Sequence, residues 1–169
     1  MVHSVELLFD PDTETSVRKI WDDLREAGIP SQAPAGRPHT TLTVAERIDP
    51  EVDLLLASLL PRFPFACQLG APLFFGHAKA VLARLLVPTT ELLDIHAQVH
   101  RMCLPHLHPG PMPNTLPGEW TAHVTVARRV VPARMGLAVQ IGGTPPEIEG
   151  TVVGLRRWDG NSRTEYRIG

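Results

Sequence analysis

The sequence predicts a bilobal α+β fold: a single domain over residues 1–169, made of two copies of a β-α-β-(α)-β-β unit, one over about 1–78 and one over about 79–169. Three observations predict it. A strand, an amphipathic helix and a second strand follow one another in each half. The second half repeats the first at an offset of 78 residues at the first strand and 84 at the second. Each second strand carries the pattern H-x-T-x, "HTTL" at 39–42 and "HVTV" at 123–126.

The elements follow in order. "VHSVELLF" (2–9) reads as a strand, and Asp10-Pro11 supplies the cap and first position of a helix with Val17, Ile20, Trp21 and Leu24 at helical spacing. Gly28 and Pro30 end that helix. A polar, Pro-rich link leads to the His39 strand, "RPHTTLTVA" (37–45). Asp49-Pro50 opens a helix with Val52, Leu55, Leu56 and Leu59 on one face, and two short strands are expected near 63–69 and 72–76. In the second half "AVLARLLV" (80–87) is a strand. Thr89 caps a helix carrying Leu92, Ile95, Val99 and Met102, and "TAHVTVAR" (121–128) is the next strand. A weaker helix near 132–141, interrupted by Gly136, precedes a hairpin of "IEGTVVGLRRW" and "RTEYRIG" turned at Asp159-Gly160-Asn161.

Composition narrows the function classes. No apolar run suits a membrane span, and the N-terminal stretch has neither a basic region nor a cleavable apolar core, so a cytoplasmic protein is expected. Cys67 and Cys103 stand alone rather than in a CxxC pattern, which predicts two reduced, buried thiols. A net charge of -2 argues against gripping long duplex nucleic acid by charge. The charge is uneven, with 5 basic and 11 acidic residues in 1–60 and 7 basic and 4 acidic in 128–169, a local excess suited to a small anion or a nucleic-acid end.

The two histidines carry the functional argument. Chance alone yields about 0.6 H-x-T matches in a chain of this composition, so one match means nothing, whereas two at equivalent positions do. Strand alternation puts His39 and Thr41 on one face with Thr40 and Leu42 on the other, and likewise His123 and Thr125 against Val124 and Val126. The plain alternative is a pair of structural histidines bonded to their own threonines. In-line displacement at a phosphodiester requires a base beside the attacking oxygen and an acid beside the leaving oxygen. Two imidazoles, which titrate near neutral pH, provide both without a metal, and the hydroxyls two residues on stabilise charge at phosphorus.

With these motifs the chain resembles the 2H phosphoesterase superfamily, in particular its 2'-5' RNA ligase-like and cyclic phosphodiesterase branch, which carries two H-Φ-[ST]-Φ motifs on duplicated lobes. "PHTTL", "AHVTVAR", the segment "LGAPLFFGHAKAVLARLLVPTTELLDIH" and the closing "IEGTVVGLRRWDGNSRTEYRIG" carry the resemblance over nearly the whole chain. Thr40 departs from it, standing where Φ is hydrophobic, and a packing adjustment is expected there. The resemblance implies two antiparallel sheets flanking a central cleft, with helices outside. It implies His39 and His123 as base and acid in unassigned order, Thr41 and Thr125 as phosphate-binding hydroxyls, and no cofactor or metal. It implies RNA ends or small cyclic nucleotides as substrates, with 2',3'-cyclic phosphates opened to 2'-phosphates or 2'-5' linkages reversibly ligated, by a monomer.

Around that core, Arg128 matches a family arginine near the phosphate, but strict alternation turns it away from His123, so Arg129 competes for the role. Arg37 shares the parity of His39, and Phe74 or Phe75 is placed to stack a base. Two rival classes remain. One is a non-catalytic RNA-end or nucleotide-binding module on the same fold. The other is a metal-binding protein using His96, His100, Cys103, His106 and His108, although the H-E-x-x-H pattern is broken by Ala97. The Pro-rich loop after this cluster is long enough to rim a cleft.

Overall fold

The structure is a computed structural model that describes residues 2–32, 36–76, 78–144 and 146–169. Of the polar link before His39, residues 33–35 lie outside the described residues. Strand β1 (His3–Phe9) is buried along its length. Helix α1 (Pro11–Glu26) starts as expected, with the Asp10 carboxylate accepting from the amides of Asp12 and Thr13 and Pro11 in the first turn. Then come β2 (His39–Ala45), the short β3 (Arg47–Ile48), α2 (Val52–Leu56), β4 (Phe65–Phe75) and β5 (Ala80–Leu86). Helix α3 (Thr90–Cys103) is capped by Thr89, whose hydroxyl accepts from Leu92 N. The chain ends with β6 (Leu107–His108), β7 (His123–Val130), α4 (Met135–Gly142), β8 (Ile148–Asp159) and β9 (Thr164–Arg167).

Two expectations change in detail. Leu55 is 41% exposed: the buried face of α2 is Val52 and Leu56, continued by Leu59 in the 3₁₀ segment Ala57–Arg62 that follows. The two strands expected near 63–69 and 72–76 are one strand, β4. Between its pairs Leu69↔Leu86 and Pro72↔Arg84 it holds an extra residue, and such a bulge tolerates a proline that cannot donate to the ladder. The fully buried Arg84 fills the bulge, its Nε donating to Gly70 O at 2.6 Å.

The expected pair of sheets forms one antiparallel path, β2-β1-β8-β4-β5-β7, with β9 beside β8; β3 and β6 make a separate ribbon. The long β8 is the reason. Its residues from Val152 to Asp159 pair with β1, and those from Ile148 to Val152 pair with β4. The halves are interleaved rather than side by side. From the first half, β4 pairs with β5 and α1 packs on α4, β7 and β8; from the second, β8 pairs with β1 and α3 packs on α2 and β2. A single apolar core results, joining Val5, Leu7, Ile20 and Leu24 to Leu82, Val99, Val126 and Leu155. Cys67 and Cys103 are free and buried, and burial pushes both thiols up to about 12. Among the described residues no helix is long and apolar enough to cross a membrane.

Where α1 starts over β8, Gly150 leaves room for Thr13, and a Cβ there would come within 2.8 Å of Thr13 Cγ2. Thr13 Oγ1 also accepts from Thr151 N at 3.3 Å, so the methyl group would push on the seam between the two halves. Gly150→Ala is expected to cost about 1–3 kcal/mol, read as a lower urea midpoint with an unchanged slope; an unchanged midpoint would show that the seam yields.

Candidate active site

The sheet path begins on β2 and ends on β7, the two strands that carry H-x-T-x. They nevertheless meet. Thr40 Oγ1 donates to the main-chain carbonyl of His123 at 3.2 Å. Thr40 is fully buried, so the polar residue at a hydrophobic motif position is a strand-to-strand tether and not only a packing adjustment. On the other face His39, Thr41, His123 and Thr125 share a cleft of about 210 Å³ with Phe75, Val81 and Arg128. The expected alternation holds, with Leu42, Val124 and Val126 in the core.

Both imidazoles are oriented in the same way. The Nδ1–H of His39 is 2.7 Å from Arg37 O, and that of His123 is 2.7 Å from Thr121 O, the carbonyl two residues upstream in each case. A carbonyl only accepts, so each ring carries its proton on Nδ1 when neutral and keeps the Nε2 lone pair. The motif threonines are held alike. Trp120 Nε1–H donates to Thr41 O at 2.9 Å and Trp21 Nε1–H to Thr125 O at 3.1 Å, each indole coming from the other half of the chain.

The environments of the two histidines differ, and strand register shows where. Across from Thr41 on the neighbouring strand stands Glu6, whereas across from Thr125 stands Ala83. Glu6 Oε1 lies 3.6 Å from His39 Nε2. That carboxylate is buried; Ser4 donates to its Oε1 at 2.5 Å and Arg156 Nε to its Oε2 at 2.7 Å. Arg156 continues to Glu165, and Glu165 to Arg37, which also donates to Glu14. His123 has no carboxylate opposite it. Burial pushes its pKa below the ordinary 6.5, and the positive charges of His39 and Arg128 act in the same direction, against a partial offset from the bond to Thr121 O. The ring of Phe75 lies 4.7 Å from its own.

The arginine ambiguity is resolved by a bulge. From Ala83↔Thr125 to Leu82↔Ala127 the register advances one residue on β5 and two on β7, so Val126 and Ala127 are both buried and Arg128 returns to the His123 face. The first half bulges at the equivalent place, between Val5↔Thr43 and Glu6↔Thr41. Arg128 thus lines the cleft, held by the Gln32 amide oxygen, which accepts from its Nε and one terminal nitrogen at 3.1 Å. Arg129, at φ 54°, is exposed and outside it. Arg37 sits in the carboxylate network beside the cleft, and Phe74 is 40% exposed and outside it.

The rival histidines do not converge. His96 is buried, stacks on Trp120 with ring centroids 3.9 Å apart, and has its Nε2 within 3.1 Å of Leu42 O and 2.9 Å of Thr115 O. Burial lowers its pKa. His108 Nε2 is 2.7 Å from Asp49, with His106 3.9 Å from the same carboxylate. Among the described residues no three His, Cys, Asp or Glu side chains gather as a metal site. Instead His96 and Trp120 buttress the motif strand β2. Glu6, Arg156, Trp21, Trp120 and Gln32 escaped the sequence reading. Only Glu6 left a trace, as a charge inside the otherwise apolar "VELLF".

The family model described as the 2'-5' RNA ligase superfamily matches residues 11–162. No curated protein matches. Among solved structures, Usb1 of Kluyveromyces marxianus aligns with a TM-score of 0.53 at 9% identity, over 99% of this chain and 97% of that one. The structure of Kluyveromyces marxianus Usb1 with uridine monophosphate aligns with a TM-score of 0.51 at 10% identity and the same coverage. At such identities the likeness is one of fold.

The tether between the motif strands is testable on its own. Thr40→Val keeps the shape and removes the donor to His123 O, and is expected to lower the unfolding free energy by about 1 kcal/mol in urea titration. Unchanged stability would mean that the strands meet without that bond.

Proposed function

The chain belongs to the 2'-5' RNA ligase superfamily, and from that premise we propose that it is a metal-independent phosphodiesterase that opens 2',3'-cyclic phosphates on RNA ends or nucleotides to 2'-phosphates. One observation carries the reading. Two imidazoles, each with Nδ1 bound to main chain, share one small cleft with two hydroxyls and an arginine. The neighbour solved with uridine monophosphate makes a nucleotide a reasonable occupant of such a cleft.

The asymmetry of the site supports one division of roles. His123, kept neutral by burial, is the base: its Nε2 takes a proton from water as the oxygen attacks phosphorus. His39, the other imidazole of the cleft, is then the acid that gives its proton to the departing 3' oxygen. The pentacoordinate phosphorus gathers charge on its non-bridging oxygens, and the hydroxyls of Thr41 and Thr125 and the Arg128 guanidinium donate to them. Their carbonyls being tied to the two indoles, the threonines need not reorganise as that charge develops. With a 5'-hydroxyl in place of water, the same groups in the same roles give a 2'-5' linkage and a free 3' hydroxyl, and the reverse path opens that linkage to the cyclic phosphate.

The expected kinetics follow from these roles. His39→Ala and His123→Ala each lower turnover by about 10²- to 10⁴-fold in folded protein. Thr41→Val and Thr125→Val cost roughly 10- to 1000-fold, in kcat rather than KM. The base must be neutral, so activity rises with pH through the His123 pKa, below 6.5, and falls again as the acid loses its proton. Glu6→Gln removes the carboxylate 3.6 Å from His39 Nε2 and is expected to lower kcat; an unchanged kcat would show that Glu6 serves only the ion-pair network. Near-normal turnover by His123→Ala would remove the mechanism altogether.

The product is the second test. Uridine 2',3'-cyclic phosphate incubated with excess chelator is expected to give the 2'-monophosphate by phosphorus NMR. A 3'-phosphate product would reverse the substrate's orientation in the cleft, and loss of activity restored by added metal would overturn metal independence. Tight binding of 2'-phosphate ends without turnover would favour the binding-module class.

A further inference from the structure

The space on the two sides of the histidine pair is unequal. On the His123 side the cleft ends against Phe75 and Val81 within about 210 Å³. On the His39 side it opens into a pocket of about 910 Å³, and His39, Thr41 and Arg128 line both. For hydrolysis the base side need admit only a water, a demand that the narrow side meets. The acid side must hold the whole leaving group, which in a 2',3'-cyclic phosphate is the ribose with everything attached to it.

The charge of the larger pocket narrows the class of substrate. Arg18, Arg37, Arg128, Arg156 and Arg163 line it, against Glu6 and Glu165. Three of the five are committed to carboxylates, Arg156 to Glu6 and Glu165, Arg37 to Glu14 and Glu165, and Arg18 to Glu14. Arg128 is held by a neutral amide, and Arg163, at φ 55° in the β8–β9 turn, is exposed and makes no ion pair among the described residues. Positive charge without a facing carboxylate therefore collects on one flank of the reacting centre, in a chain whose net charge is -2. The first half has Val44 where the second has Arg128, so the pseudo-symmetry does not repeat this flank elsewhere. Forked guanidinium donors suit phosphate oxygens.

We propose that the pocket beside His39 is a second phosphate subsite, which takes the phosphate on the 5' oxygen of the nucleotide whose cyclic phosphate is opened. This rests on the phosphodiesterase reading of the same cleft and narrows it. The substrate is an oligonucleotide end or a 5'-phosphorylated nucleotide, not a bare nucleoside cyclic phosphate, and Arg163 is the residue that distinguishes them.

Three substrates test it: uridine 2',3'-cyclic phosphate, its 5'-phosphorylated form, and the dinucleotide UpU ending in the cyclic phosphate. Both 5'-substituted substrates are expected to exceed the first in kcat/KM by about 10- to 100-fold, the worth of a charge-assisted contact. Arg163→Asn, chosen because Asn tolerates a left-handed backbone, brings that ratio toward one; the exposed Arg101→Gln, which loses the same charge from α3, leaves it intact. Equal kcat/KM for all three overturns the subsite and spares the phosphodiesterase reading. A gain confined to the dinucleotide also overturns it, since the second nucleoside is then what is recognised. If no substrate turns over, the phosphodiesterase reading fails, and calorimetric titration still decides the subsite: uridine 2',5'-bisphosphate should bind more tightly than uridine 2'-monophosphate by a similar factor, and equal affinities would refute it.

Discussion

Two strands that lie at opposite ends of the hydrogen-bonded path have to face each other, and the rest of the molecule depends on that meeting. An edge strand offers unpaired backbone groups to any other chain, a hazard that grows when two such edges frame an open cleft. Here each edge is occupied locally. Met112 N donates to Val44 O at 2.8 Å on the β2 side, and on the β7 side Arg128 N donates to Pro30 O at 2.9 Å while Ser31 bridges to Ala127. Met112 of the Pro-rich loop and Pro30-Ser31 therefore act as edge covers. The Thr40 hydroxyl then draws one edge to the other at the histidine itself, so the separation of the two imidazoles is set by backbone rather than by mobile side chains.

On this frame the duplication is kept wherever geometry matters and broken wherever chemistry must differ. Tautomer-fixing carbonyls, indole-bound threonines and bulges after each motif recur in both halves. Glu6 against Ala83, and Val44 against Arg128, are where they part. Symmetric histidines in symmetric surroundings would titrate together and compete for one role. Here they are not symmetric: a buried carboxylate, its charge compensated by Arg156, stands beside His39, and the ring of Phe75 stands beside His123.

How much of this was legible in the sequence follows from what each signal encodes. His39, His123 and their threonines could be read because a motif placed twice at matching positions overrides chance, and because period-two alternation survives through residues 39–42 and 123–126. Arg128 and Arg129 could not be told apart, since a bulge changes parity and leaves no mark in the pattern of residues. The same blindness split β4 in two at Pro72. Packing partners were hidden for another reason: an amphipathic face says that a helix is covered, and not by which sheet. Nothing in the spacing of Val17, Ile20, Trp21 and Leu24 told that α1 lies on the strands of the other half, nor that Trp21 reaches the carbonyl of Thr125. Glu6 is the instructive miss, a charge in an apolar strand whose partner, Arg156, is 150 residues away.

The interleaving of the halves bears on how such a chain could have arisen. With β4 pairing into the second half, β8 into the first, and each long helix lying on the other half's strands, neither half encloses a core of its own. A gene of half this length would encode a polypeptide with one histidine, one open sheet and one unsupported helix. Two such copies, exchanging strands and helix as the halves do here, would enclose a core and bring two histidines to one cleft. Dimerisation, folding and the capacity for acid–base chemistry would then have been a single event, and fusion of the two genes freed each histidine to acquire surroundings of its own.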